Sequence, residues 1–340
     1  MTLLFLAICI LILTVPFVPA LREWRAPEDC APLPISRTYA NEIDHFADQF
    51  RDKALAEIAA MDNITHRNFE LVCDPPDHMD WLSPTRPLIG QYPIDVSHAI
   101  RCQQPLYAML SLDCTRDSSF AAVFTQGDIR LGPYSEILEW AHADGAVKLD
   151  VACIALRRLS SKVAIDLAAQ CCFERVYAPV IRFGELPADT PPAESPGAFS
   201  ADIGMLPGAI RRTPGLHMIK GDCSLPPGHV FKGSLVVTGR LIIGNYTTVI
   251  GDIKAREGTI IGTGVRIIGS LTCEDRIYIL DHAEIAGPLI SETDIVLGAG
   301  TVVGRIDAPT TVSAENIIAK AGAVAHGSLW ARNVGVVWAP

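Results

Sequence analysis

The stretch Val249-Ile-Gly-Asp-Ile-Lys-Ala-Arg-Glu-Gly-Thr-Ile-Ile261 decides the fold. Val249, Ala255 and Ile261 stand six residues apart, and Ile253 and Thr259 each fall two residues before a member of that row. The row continues through Ile243, Ile267, Cys273, Ile279, Ile285, Ser291, Leu297 and Val303, with Val265, Leu271, Ile277, Ala283, Leu289, Ile295 and Thr301 as its companions. Two inward residues with one outward between them, followed by a turn, is strand alternation. A helix of 3.6 residues per turn cannot keep a six-residue row on one face. Gly-x-aliphatic steps mark a longer period: Gly233, Gly251, Gly269, Gly287, Gly304 and Gly327 are spaced 18, 18, 18, 17 and 23 residues apart. The pattern predicts an all-β chain, a parallel β-helix with three short faces and about 18 residues per coil. The glycines Gly233, Gly251, Gly269, Gly287 and Gly304 are expected at its corners.

Upstream the same period returns in Ile129-Arg-Leu131, Val147-Lys-Leu149, Ile165-Asp-Leu167 and Ile181-Arg-Phe183. Further rows are read in Ile137, Ile154 and Cys172, and in Trp140, Arg158 and Val176. Residues 112–184 are therefore expected to form a first solenoid section and residues 216–340 a second. The Pro-rich stretch 185–215 is expected to be a linker or loop between them. Four coils before the linker and six after it, at strand spacing, give a rod of about 50 Å. Residues 22–111 read as a juxtamembrane linker and a helical region. Tyr39, Ile43, Phe46, Phe50, Ala54 and Ile58 recur at helical steps and require a partner surface. The five prolines between Pro75 and Pro93 predict irregular chain over 73–93.

Composition agrees. The 340 residues are 49% hydrophobic but only 7% aromatic and 19% charged, so the core is built of small aliphatic side chains. The net charge of −10 argues against a nucleic-acid partner, which requires a basic face. Residues 2–21 carry no charge and would span about 30 Å as a helix, the thickness of a bilayer core. Arg22 and Arg25 follow, which by the positive-inside rule sets the bulk of the chain in the cytoplasm, anchored in the inner membrane by residues 1–21. The competing reading is a cleaved signal peptide ending near Val18-Pro19-Ala20, although no basic residue precedes Arg22. The ten cysteines are scattered without a CxxC pair and read as small apolar packers.

Residues 233–306 resemble the bactofilins, bacterial polymer-forming cytoskeletal proteins. The resemblance is carried by Leu241-Ile-Ile-Gly244, Val249-Ile-Gly-Asp-Ile-Lys-Ala255, Val265-Arg-Ile-Ile-Gly-Ser-Leu271 and Ala283-Glu-Ile-Ala-Gly-Pro-Leu289. It implies a right-handed β-helix that assembles end to end into filaments without nucleotide, on the inner face of a membrane. Partners would then be further copies of the chain, the bilayer, and envelope or membrane proteins. The hydrophobic N-terminus, residues 39–110, the first coils and the internal linker depart from that pattern. The apolar segment Val334-Gly-Val-Val-Trp338 either seals the last coil or meets another subunit, with Val336, Val337 and Trp338 as the candidate assembly contact.

An 18-residue coil is shared by hexapeptide acyltransferases, which use a corner histidine as general base, for which His282 and His326 are the candidates. Cys73, Asp77, His78 and Asp80 gather metal-ligand types around two prolines and read as a polar turn. Asp144, Asp150, Asp166 and Glu174 would serve a carbohydrate-cleaving β-helix only if they converged; a solvated face is the plainer reading. Gly262-Thr-Gly264 lacks the third glycine of a dinucleotide loop, and no Gly-Lys-Ser/Thr phosphate loop is present. No cofactor or metal is expected, and the chain reads as structural rather than enzymatic.

Overall fold

A computed structural model describes residues 14–18, 43–60, 68–185 and 199–339. Residues 1–42 form one unit and residues 43–340 a second. The expected anchor lies outside the described residues except for a 3-10 turn, Val15–Phe17. Among the described residues no helix is long and apolar enough to cross a membrane.

Residues 70–185 and 199–338 wind as a parallel β-solenoid of about 14 coils. In the second stack Leu241 pairs with Thr259 and Thr259 with Ile277, one coil per step of 18 residues. Leu235, Ile253 and Leu271 form the ladder of the next face, and Val249, Ile267 and Ile285 that of the third. Every residue of the six-step row from Ile243 to Val303 is buried, as are its companions. Corner side chains reach across the same interval: Asp222 accepts from the Arg240 N–H, Asn245 from Thr263 and Asp281 from Ala299. Asp128 and Asp252 cap Ala146 and Ser270 in the same way.

A column of glycines explains how tightly the corners stack. A Cβ on Gly287 would lie 2.6 Å from the Gly269 carbonyl oxygen, and Gly269 and Gly251 meet the carbonyl of the preceding column member even more closely. Gly233 also has φ +116°, a conformation side chains disfavour. Gly304 has φ +77° and faces Thr310 and the His326 carbonyl instead.

Two expected boundaries move. Coils begin at residue 70, well before 112: Glu70 pairs with Leu88, Leu88 with Leu106, Ile94 with Leu112 and Cys102 with Phe120. The prolines did not break these coils because they occupy corners. Pro87 and Pro105 lack an N–H, but their carbonyls accept from Glu70 and Leu88. Trp81, 4% exposed, closes the core at this end and donates through Nε1 to the Pro76 carbonyl. Likewise, residues from 199 onward belong to the second stack rather than to a linker. Phe199–Asp202 pairs with His229–Lys232, and Ile210–Thr213 folds back antiparallel on Leu216–Ile219. Buried Ile203 closes that end.

The helix His45–Ala59 finds its partner on the outside of the solenoid. Ala47 and Ala54 bury against Phe69, Ile89, Tyr107 and Phe124, with Phe50, Ile58 and Trp140 at the margin. Ile89, Tyr107 and Phe124 are register partners on successive strands and alternate with inward residues, so they point away from the solenoid interior and would be exposed without the helix.

The two stacks meet at their last coils. Cys172–Phe183 and Ala323–Trp338 pair antiparallel, joining Cys172 to Val336, Phe173 to Gly335, Val176 to Leu329 and Phe183 to Ala323. Each stack covers the carboxy-terminal edge of the other, and one hydrophobic core runs through both. Parallel coils on either side of an antiparallel seam mean that the two stacks wind toward each other.

Candidate functional site at the join of the two stacks

One outward row crosses the seam. Trp140 pairs with Arg158, Arg158 with Arg175, and Arg175 with Trp330. The expected continuation from Arg158 to Val176 is displaced by one residue, because the register shifts between Ala155 and Arg158 and Arg157 adopts φ +65°. Val176 consequently turns inward, buried beside Leu159, and a second arginine takes the outward place. In the expected row Ile137, Ile154 and Cys172, the first step is off by one, since Ile137 pairs with Ala155, whereas Ile154 does pair with Cys172.

This row floors a groove of about 470 Å³ whose lining includes Phe46 of the helix, Trp140, Arg157, Arg158, Arg175 and Trp330. Arg332, Ala331, Glu139 and Glu174 complete the rim. The Arg158 guanidinium lies 4.4 Å from the centre of the Phe46 ring, and that of Arg175 lies 5.2 Å from the centre of Trp330. None of the ion pairs among the described residues involves Arg157, Arg158, Arg175 or Arg332. Glu174 accepts from the Arg157 backbone N–H at 3.1 Å, and Arg332 donates to the Glu292 carbonyl at 2.5 Å. Burial, followed by the neighbouring charge of Arg158, lowers the pKa of Arg175 from its ordinary value. The groove therefore concentrates positive charge between aromatic walls on a chain of net charge −10.

A second polar set lies beneath the groove's helix side. His142 is 1% exposed, stacks on Phe124 at 5.3 Å, and shares a 2.8 Å hydrogen bond between Nδ1 and Ser160 Oγ. Its Nε2 lies 3.4 Å from Asp144, which is paired with Lys162. Serine, histidine and aspartate are thus in line, but Ser160 is only 2% exposed, so the set acts as a packed polar strut rather than an accessible nucleophile. Burial lowers the His142 pKa below its ordinary value.

The other sequence candidates lie apart from the groove. His326 donates through Nδ1 to the Pro179 carbonyl at 2.8 Å and so fastens the seam. His282 sits at a corner with φ +60°, against Gly300. Asp77 accepts from the Ser97 N–H and hydroxyl, which hold its carboxyl below the usual range, and Cys73 donates to the Pro75 carbonyl. Among the described residues no three such side chains gather as a metal site. Asp144, Asp166 and Glu174 are engaged separately by Lys162, Arg182 and the Arg157 N–H, while Asp150 accepts from the next N–H, so the four do not converge.

Val336 and Val337, read either as sealing the last coil or as a contact with another subunit, meet the first stack of their own chain. Val336 pairs with Cys172, Val337 donates to the Cys171 carbonyl and accepts from Gln170, and Trp338 remains 59% exposed. The edge is satisfied internally because antiparallel pairing of two like ends saturates their unpaired groups. The missed feature was the outward row: Trp140, Arg158, Arg175 and Trp330 belong together only once the bulge and the seam are known. No protein-family model, no curated protein and no solved structure matches the chain.

Proposed function

We propose that the protein is a membrane-tethered structural rod, a scaffold of bactofilin type, rather than an enzyme. The observation that carries this reading is the antiparallel seam between Cys172–Phe183 and Ala323–Trp338. Two coil stacks joined end to end through backbone pairing are the elementary step of end-to-end assembly, here made inside one chain. Residues 2–21 would hold the rod at the inner face of the membrane. Growth beyond one molecule would use the outer coils, since the inner ends are occupied. Among the described residues Cys223–Leu225 pairs on one side only, with Leu241–Ile243. In that ladder Cys223 donates to the Arg240 carbonyl, so the N–H of Ser224 is directed to the other side, toward an added strand.

Negative-stain electron microscopy of the full-length protein in detergent, without nucleotide, tests this. Rods several molecules long that shorten to single molecules in Ser224→Pro are the expected result. Proline removes the outward N–H there without costing a ladder bond. Particles that stay single at every concentration overturn the assembly reading. Discrete trimers that bind acyl-CoA, losing it in His282→Ala or His326→Ala, would establish the acyltransferase reading in its place.

A further inference from the structure

We propose that the groove across the seam binds a phosphate monoester, held by Arg158 and Arg175. The two arginines are register neighbours on adjacent strands, which lie about 4.8 Å apart, and both face outward. Guanidinium groups placed so closely repel each other, and the chain supplies neither with a carboxylate partner among its described residues. Each instead lies over an aromatic ring, Phe46 for Arg158 and Trp330 for Arg175. Stacking occupies the face of a guanidinium and leaves its in-plane N–H fork free to donate. The acceptor sites of a carboxylate lie in a single plane, so it takes up two such forks only when both share that plane. A tetrahedral phosphate with three terminal oxygens and nearly two charges accepts from both.

The rim narrows the class further. Glu139 and Glu174 line the same groove as the arginines. They would repel a continuous polyanion such as a nucleic acid, but they accept hydrogen bonds from hydroxyl groups. A small ligand with one phosphate end and a hydroxylated or apolar remainder meets both requirements. Its phosphate could belong to a soluble ester or to a lipid headgroup, chemistry that the groove reads alike. The site exists only where the stacks are joined, because Arg158 and Arg175 come from the first stack and Trp330 and Arg332 from the second. This inference stands independently of filament growth.

The test is titration calorimetry on the full-length protein in detergent with glycerol 3-phosphate, and co-sedimentation with phosphatidylcholine vesicles with and without phosphatidic acid. Saturable binding is expected in at least one arm, weakened by about tenfold or more in Arg158→Gln/Arg175→Gln. Binding in the first arm identifies a soluble ester, and binding confined to phosphatidic acid vesicles identifies a lipid. Arg158→Lys/Arg175→Lys keeps the charge but not the forks and should also lose most affinity, whereas Arg266→Gln, on another face, should retain it. Thermal melting of each variant separates lost binding from lost fold. Absence of binding in both arms, or affinity unchanged in the double glutamine variant, overturns the proposal.

Discussion

Gly335 lies directly against the ring of Phe173 across the seam, and a Cβ at that position would overlap the ring edge. Phe173 in turn packs on Phe183 at 5.7 Å, so the ring cannot retreat without disturbing the last inward layer of the first stack. Gly335→Ala should therefore cost about 1–3 kcal/mol as an overpacked contact. Urea unfolding would read this as a lower midpoint with an unchanged slope; a midpoint equal to wild type would mean that the two stacks are not held by this packing.

The glycine column makes a parallel claim for the corners. Gly287→Ala places a methyl group against the Gly269 carbonyl, where every near neighbour is backbone and none can move aside as a flexible side chain does. A loss of about 1–3 kcal/mol is expected, measured by calorimetric melting. Gly208 has open space around it, so Gly208→Ala carries only the smaller penalty of its φ of +77°. Equal effects at the two sites would remove close backbone stacking as the reason for the column.

Thr259 offers the opposite sign. It is 1% exposed, stacks between Leu241 and Ile277, and its Oγ1 has no hydrogen-bond partner among the described residues. Thr259→Val keeps the shape and removes the stranded hydroxyl, for a gain of about 1 kcal/mol. A destabilised variant would show that the hydroxyl is satisfied in solution.

His142 predicts how the helix responds to acid. Burial depresses its folded pKa below the ordinary 6.5. The folded state thus disfavours the proton that the unfolded state accepts. Its contribution to stability is complete above about pH 6.5 and is lost as the pH falls through the folded value. Because His142 stacks on Phe124, which the helix His45–Ala59 covers, hydrogen exchange of that helix, taken relative to the intrinsic amide rate at each pH, should quicken over this range. In His142→Gln the same acceleration should be absent. A helix whose exchange follows pH identically in both proteins would assign the effect to other groups.

How far residues announce their places depends on what repeats. The six-step row from Ile243 to Val303 was legible because each coil repeats one steric requirement, and every member is buried. Leu88, Leu106 and Ile94, Leu112 repeat at the same interval, but corner prolines obscured strands of two or three residues. The Arg158–Arg175 pair was hidden for a different reason. A one-residue register shift exchanges inward for outward, so Val176 occupied the place that belongs to Arg175. The seam itself leaves no period to read: Phe173 and Gly335 are far apart in sequence, and only the fold brings them opposite each other. His142 and Ser160, 18 residues apart, kept the coil interval, but a buried polar pair on an outward row makes sense only beneath a helix.

The seam also decides what kind of track such a rod would be. The two stacks run in opposite senses from their outer coils to the middle, so their backbone directions cancel within each molecule. Both tips present amino-terminal coils, one near residues 70–102 and the other near residues 199–225. A polymer made by joining such tips would have no front or back at the level of its main chain. It would brace a surface or mark a location equally well from either side. It would not by itself tell a moving partner which way to go.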